Sequence, residues 1–247
     1  MGEQEIAIKV QNLTIRYRTL KSYSIKRNLF QGKKNRKETF EAVKHVSFEV
    51  PKGQILGIIG KNGSGKSTML KALAGIFAPD EGSIDLCGNS VSLLSIGVGF
   101  QKELSGRENI VLSGMLLGFS EKEILQKMPQ IIKFSGLGNF IDMPVRTYSS
   151  GMFSKLAFSI TAILETDIIL IDEVLSVGDE RFKKKSSKKM KSLIRDEKRT
   201  VVIVSHNINT LRKLCENVMW LNDGEIMMLG ETNEVLDRYV EYMEAEE

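Results

Sequence analysis

The residues best suited to chemistry form a glycine-rich run, Gly60 to Thr68, with the order Gly-Lys-Asn-Gly-Ser-Gly-Lys-Ser-Thr. This order matches the pattern G-x-x-x-x-G-K-S, in which successive backbone N–H groups surround the phosphates of a nucleotide. Glycine suits such a loop because it reaches backbone angles that other residues avoid. We therefore predict that the run binds a nucleoside triphosphate. The predicted contacts come from Gly60, Lys61, Asn62, Gly63, Ser64, Gly65, Lys66, Ser67 and Thr68.

Two residues of this run have separate expected roles. Lys66 places a positive charge at the β- and γ-phosphates, and Ser67 offers its hydroxyl to Mg²⁺. The flanking sequence predicts the elements that hold the loop. Residues 54–59 resemble a short buried strand, and residues 69–74 continue at helical spacing. Since the motif requires a strand before it and a helix after it, a chance glycine-rich turn is the weaker interpretation.

An acidic pair follows a second apolar run. Residues 168–171 are Ile-Ile-Leu-Ile, and Asp172 and Glu173 come next. Ligands of α/β proteins bind at the carboxyl ends of parallel strands. We therefore predict that Asp172 binds Mg²⁺ and that Glu173 orients the water that attacks the γ-phosphate. Two surface acids at a strand end would give the same pattern.

The run Tyr148-Ser149-Ser150-Gly151-Met152 resembles the signature of ATP-binding cassette proteins, usually L-S-G-G-Q. The resemblance extends over nearly the whole chain and departs from the signature at Ser150 and Met152. It implies a D-loop over residues 176–179, a catalytic switch histidine at His206 and a Q-loop glutamine at Gln101, with Gln101 also near Mg²⁺. It further implies that Tyr17 stacks on the adenine ring of ATP.

Family membership also implies partners. In cassette proteins the signature of one subunit closes on the nucleotide of the other, so the resemblance implies a homodimer that holds two ATP molecules. Ser149, Gly151 and Asp179 would then contact nucleotide, although Ser149 could instead only cap its helix. Two copies of a separate transmembrane permease would complete the complex at the cytoplasmic face of the membrane.

Within the family, the chain resembles ATPase subunits that export lipid-linked polysaccharides, wall teichoic acid exporters in particular. The runs that carry this likeness are 106–110, 147–152 and 172–179, together with the basic insertion before the glycine-rich loop, residues 18–38. O-antigen or capsular polysaccharide export is the alternative. Because the chain ends at Glu247, without a carbohydrate-binding domain, we expect the teichoic acid type. A cassette protein acting on nucleic acid or ribosomes is a weaker alternative, and we expect no nucleic-acid partner.

The predicted fold is α/β, a P-loop NTPase with a mostly parallel core sheet in one domain over residues 1–247. Residues 1–101 and 165–247 form the core with an N-terminal antiparallel β layer, and residues 102–164 form an inserted helical subdomain. The layer is expected from two strands, residues 6–10 and 13–17, and from the alternation over 40–50. Thr232 is expected to cap the last helix.

The composition of the chain bears on its partners and on its relation to a membrane. A formal net charge of +4 fits an acidic partner without selecting one. No apolar stretch approaches the roughly 20 residues that span a bilayer, and Cys87 and Cys215 are expected as core thiols.

A basic insertion, residues 18–38, carries interspersed large apolar residues. It fits an anionic membrane surface or the permease, and a solvated surface segment fits it almost as well. The basic run 181–191 is typical of a solvated helix face.

Overall fold

A computed structural model of the chain describes residues 4–19, 38–94, 97, 99–172 and 179–245. Glu173, residues 176–178 of the expected D-loop and residues 20–37 of the basic insertion lie outside the described residues. The strands are β1 Ile6–Thr19, β2 Glu38–Pro51, β3 Ile55–Ile59, β4 Glu81–Asp85, β5 Val91–Leu94, β6 Ile168–Asp172, β7 Thr200–Val204, β8 Asn217–Asn222 and β9 Glu225–Glu231. The helices are α1 Lys66–Leu73, α2 Gly106–Leu116, α3 Glu121–Ser135, α4 Ser150–Leu164, α5 Glu180–Ile194, α6 Ile208–Leu214 and α7 Thr232–Ala245.

A three-stranded antiparallel sheet has the strand order β2-β1-β4. The two strands expected at residues 6–10 and 13–17 are one continuous strand, β1. Between them the pairing register with β2 shifts, and Asn12 has a left-handed φ of 50°. This is a β-bulge, which bends a strand without ending it.

The second sheet has the order β5-β6-β7-β3-β8-β9, in which all pairs are parallel except β8 with β9. The predicted α/β fold with a mostly parallel core is therefore confirmed. Successive residues of the central strands face opposite sides: Ile58 and Val202 belong to one buried cluster, and Ile59 and Val201 to another. Burial on both faces explains why these strands are continuous apolar runs rather than alternating ones.

Between β5 and β6 the elements are helical: α2, α3, two short 3-10 turns and α4. They share a third buried cluster, which includes Ile110, Ile131 and Leu156. Side chains define the starts of α2 and α3, where Ser105 and Ser120 each form a reciprocal capping box with the glutamate three residues later. Ser105 also ends the loop that contains Gln101.

The C-terminal end of the chain is a hairpin followed by α7. Asp223 and Gly224 both have positive φ, 46° and 84°, as a two-residue hairpin turn requires. The expectation that Thr232 caps α7 was wrong. Its hydroxyl donates to the Cys215 carbonyl oxygen at 2.9 Å, and the Glu231 carboxylate instead accepts the first backbone N–H groups of the helix.

The two cysteines differ in environment. Cys215 is buried, and burial raises the pKa of its thiol to about 12. Cys87, also expected in the core, is exposed in the turn after β4 with a φ of 51°. That expectation failed because an isolated cysteine carries no signal of its turn geometry. Within the described residues, no helix is long and apolar enough to cross a membrane.

Candidate nucleotide-binding site

The loop of residues 60–65 joins the carboxyl end of β3 to the start of α1. Lys66, the first residue of α1, is only 6% exposed. Its Nζ donates to the carbonyl oxygens of Gly60 at 2.8 Å and Lys61 at 2.7 Å. The loop backbone therefore holds the lysine charge at its centre, where it can meet a phosphate.

Glycine is required at two points of the loop. A Cβ on Gly60, whose φ is +154°, would lie 2.1 Å from the Leu221 carbonyl oxygen. One on Gly65, whose φ is +100°, would lie 2.3 Å from the Ala42 carbonyl oxygen. Gly65 is also the N-cap of α1 and has no side chain to accept a hydrogen bond. The first N–H groups of α1 thus lack a side-chain cap, which suits an anion at this helix end.

Ser67 and Asp172 bring the two sequence motifs together. The Ser67 hydroxyl lies 3.4 Å from Asp172 Oδ1, where α1 meets the end of β6. Both atoms are hard oxygen ligands of the kind that Mg²⁺ prefers. The described residues contain no group of three or more His, Cys, Asp or Glu side chains that could hold a metal ion. Ser67 and Asp172 could supply two ligands of Mg²⁺, and the remaining ligands would come from phosphate oxygens and water.

Tyr17 of β1, in the antiparallel sheet, lies beside the first turn of α1. Its hydroxyl lies 3.1 Å from the Thr68 hydroxyl, and its ring packs edge-on against Phe77 with centroids 5.9 Å apart. The side chain stays 39% exposed. An accessible aromatic ring therefore borders the phosphate loop, as stacking on a base requires.

Gln101 is exposed, and the side chain of Asn109 holds its backbone. Asn109 Oδ1 accepts the Gln101 N–H at 2.7 Å, and Nδ2 donates to the Gln101 carbonyl oxygen at 3.0 Å. Nδ2 also lies within bonding distance of the Leu104 and Ser105 carbonyl oxygens. Asn109 is completely buried. A lone amide among the apolar residues of α2 is the signal that could have identified it.

Ser149 is the N-cap of α4 and accepts the Met152 N–H at 3.2 Å. This is the capping contact that the alternative interpretation of Ser149 foresaw. A Cβ on Gly151 would meet only the Ser149 hydroxyl, at 3.9 Å, so open space adjoins the helix start. The position remains accessible to a ligand.

Asp179 is the N-cap of α5 and accepts the Phe182 N–H at 2.9 Å. It also forms an ion pair with Lys155 of α4. The hydrogen bond from Lys155, followed by that from the Phe182 N–H, lowers the pKa of Asp179. The Asp179 carboxylate therefore joins α4 to α5, a role that the sequence pattern did not predict because Lys155 is 24 residues away.

His206 is exposed and follows β7, which separates β6 from β3 in the sheet. It therefore lies at the same sheet edge as Asp172 and the phosphate loop. Lys66, Ser67, Asp172 and His206 all follow from the carboxyl ends of β3, β6 and β7. Such an edge is where open α/β sheets bind ligands.

This arrangement is that of the P-loop NTPase fold. The sequence profile of the ABC transporter family matches residues 43–176, more than half of the chain. The chain belongs to the ABC transporter family. A solved dimeric ATP-binding cassette in a post-hydrolysis state, bound to ADP and Pi, matches with a TM-score of 0.67 and 23% identity. That match covers 91% of this chain and 98% of the other. It shows a shared fold.

Two curated relatives are more similar in sequence. The O-antigen export system ATP-binding protein RfbB of Myxococcus xanthus is 41% identical over 96% of this chain and 55% of its own length. The teichoic acids export ATP-binding protein TagH of Lactococcus lactis subsp. lactis (strain IL1403) is 42% identical over 99% of this chain and 53% of its own length. The chain thus spans about half the length of both. Chain length therefore does not separate the two kinds of exporter.

Proposed function

We propose that the chain binds ATP with Mg²⁺ and hydrolyses it. The observation that carries this proposal is the convergence of the buried Lys66 charge with the Ser67 hydroxyl and the Asp172 carboxylate at one edge of the core sheet. The loop N–H groups and Lys66 hold the β- and γ-phosphates. Tyr17 stacks on the adenine.

Ser67 and Asp172 would hold Mg²⁺, which neutralises charge on the phosphates during transfer. Phosphoryl transfer depends mainly on positioning and charge stabilisation, so no protein nucleophile is required. Glu173 orients and polarises the attacking water, His206 contacts the γ-phosphate, and Gln101 completes the site. The Asn109 amide fixes the backbone of Gln101 and so limits where that side chain can reach.

The active form in this proposal is a homodimer. Ser149, Gly151 and Asp179 of one subunit contact the nucleotide held by the other. Support comes from the open space beside Gly151 at the start of α4, because a helix N-terminus favours an anion. The Ser149 hydroxyl can accept the Met152 N–H and still donate its own proton to a phosphate.

Two such subunits would act with two copies of a transmembrane permease at the cytoplasmic face of the membrane, to export a lipid-linked polysaccharide. Wall teichoic acid is the proposed polymer, and O-antigen or capsular polysaccharide is the second candidate. Relatives named for teichoic acid and O-antigen export match at 42% and 41% identity, so identity alone does not choose the polymer.

Hydrolysis is tested with Glu173→Gln. The amide keeps the side-chain shape but cannot polarise water, so ATP should still bind while turnover nearly stops and ATP-bound dimers accumulate. Lys66→Met is the matched binding variant. It keeps the aliphatic stem and removes the charge, and we expect at least about tenfold weaker ATP binding. Near-normal ATP turnover by Glu173→Gln would show that Glu173 does not polarise the attacking water.

The export partner is tested by affinity purification from detergent-solubilised membranes. Co-purification of a protein with several transmembrane segments supports export. Recovery of ribosomal or nucleic-acid material instead would support the alternative of a cassette protein that acts on nucleic acid.

A further inference from the structure

A charged cavity lies between the end of α3, the first half of α4 and the start of α5. Its volume is about 460 Å³. Its charged residues are Lys133, Lys155, Asp179, Arg181 and Lys185, and the Phe134 ring lies beside them. This volume is within the range of small-molecule pockets, roughly 300–1,000 Å³.

The lining carries an excess of positive charge. Lys155 pairs with Asp179, whose carboxylate also accepts the Phe182 N–H. Within the described parts of the chain, no carboxylate forms an ion pair with Lys133, Arg181 or Lys185. Three uncompensated cations therefore surround one cavity. The adjacent α3 C-terminus offsets only about half a unit charge.

Lys185 shows how these cations are held. Its Nζ lies 4.2 Å from the centroid of the Phe134 ring and donates to the Phe134 carbonyl oxygen at 3.1 Å and, more weakly, to that of Lys133 at 3.4 Å. An ammonium group has three N–H donors, so one remains for a ligand. Burial, with repulsion from Arg181 and Lys133, lowers the pKa of Lys185. A bound anion would relieve this repulsion.

We propose that this cavity binds a phosphate-type oxyanion, for which pyrophosphate is the probe. Arg181 supplies a planar fork that matches phosphate oxygens, and Lys133 and Lys185 supply point charges. The source can be a free inorganic anion or the diphosphate of a nucleotide. Because the cavity also contains Lys155, an anion there would compete with Asp179 for Lys155 and so act on the link between α4 and α5.

The test is calorimetric titration of the 247-residue chain with pyrophosphate. All variants carry Lys66→Met, which weakens binding at the phosphate loop. The pocket variant adds Arg181→Gln and Lys185→Gln. Its matched control adds Lys184→Gln and Lys188→Gln, two exposed lysines of α5 that do not line this cavity. Both variants lose the same net charge, so general electrostatic attraction is equal.

We expect the control to keep pyrophosphate binding and the pocket variant to bind at least about tenfold more weakly. A parallel titration with ADP identifies the source: pocket-dependent ADP binding tighter than that of pyrophosphate indicates a nucleotide, and the reverse order a free anion. Equal affinity in pocket variant and control, or no binding in the Lys66→Met background, overturns the proposal. Thermal unfolding of the single variant Arg181→Gln shows whether weaker binding comes from a folding defect instead. These titrations measure pyrophosphate binding in the Lys66→Met background, so their outcome is separate from the Glu173→Gln test of ATP hydrolysis.

Discussion

The Ser67 hydroxyl lies 3.4 Å from Asp172 Oδ1, although 105 residues separate the two positions in the chain. Ser67 is fixed by α1 and Asp172 by the end of β6, with β7 between β6 and β3 in the sheet. The core sheet and α1 therefore bring a hydroxyl and a carboxylate together. Such preorganisation is what a site for Mg²⁺ and phosphate requires.

The buried Asn109 side chain should contribute to stability. Asn109→Ala removes the buried partner of the Gln101 N–H and carbonyl groups, and we expect a loss of about 1–3 kcal/mol in the free energy of unfolding. Asn109→Asp should cost more, because a carboxylate would face carbonyl oxygens. Urea unfolding measures both, and the control is Asn139→Ala, a substitution at an exposed asparagine. If Asn109→Ala is as stable as Asn139→Ala, the amide does not hold this loop.

Gly65 and Gly63 allow backbone strain to be separated from steric overlap. Both have positive φ, +100° and +84°, but a Cβ on Gly63 meets no atom within 4 Å. Gly63→Ala should cost about 1–2 kcal/mol from the left-handed backbone alone. Gly65→Ala should cost clearly more, since its Cβ would overlap the Ala42 carbonyl oxygen. Equal losses in urea unfolding would mean that the loop shifts freely.

How well the sequence predicted this structure depended on local signals. The strands at 168–171 and 201–204 were predictable because burial on both faces leaves continuous apolar runs. The convergence of Lys66, Asp172 and His206 followed from placing each after such a strand. The Lys155–Asp179 pair was not predictable, since it depends on how α4 packs against α5. Thr232 was wrongly predicted to cap α7, because a threonine hydroxyl can bond either to its own helix or, as here, to the carbonyl oxygen of Cys215.

The Lys155–Asp179 ion pair should make stability depend on pH. Its hydrogen bond and that of the Phe182 N–H lower the pKa of Asp179 in the folded chain. The ion pair's contribution to stability is therefore fully present above the pKa of an aspartate in the unfolded chain, about 3.9. It is lost as the pH falls through the lower pKa of Asp179 in the folded chain. Asp179→Asn keeps a capping oxygen and removes the charge. The stability difference between wild type and Asp179→Asn, measured by urea unfolding, should be constant from about pH 7 to 5 and shrink below about pH 4. An unchanged difference at about pH 3 would contradict this assignment.

The central claim is that Lys66, Ser67 and Asp172 form one site for ATP and Mg²⁺. The most direct measurement is calorimetric titration with ATP, in Mg²⁺ and in EDTA, of wild type, Asp172→Asn and the control Asp85→Asn. The control substitution keeps a side-chain oxygen that can accept the Cys87 N–H, so it removes one carboxylate charge with little structural change. We predict that wild type and Asp85→Asn bind ATP more tightly in Mg²⁺ than in EDTA. In Asp172→Asn the ratio of these two affinities should be at least about tenfold smaller. An Asp172→Asn variant with the full Mg²⁺ effect would contradict the account.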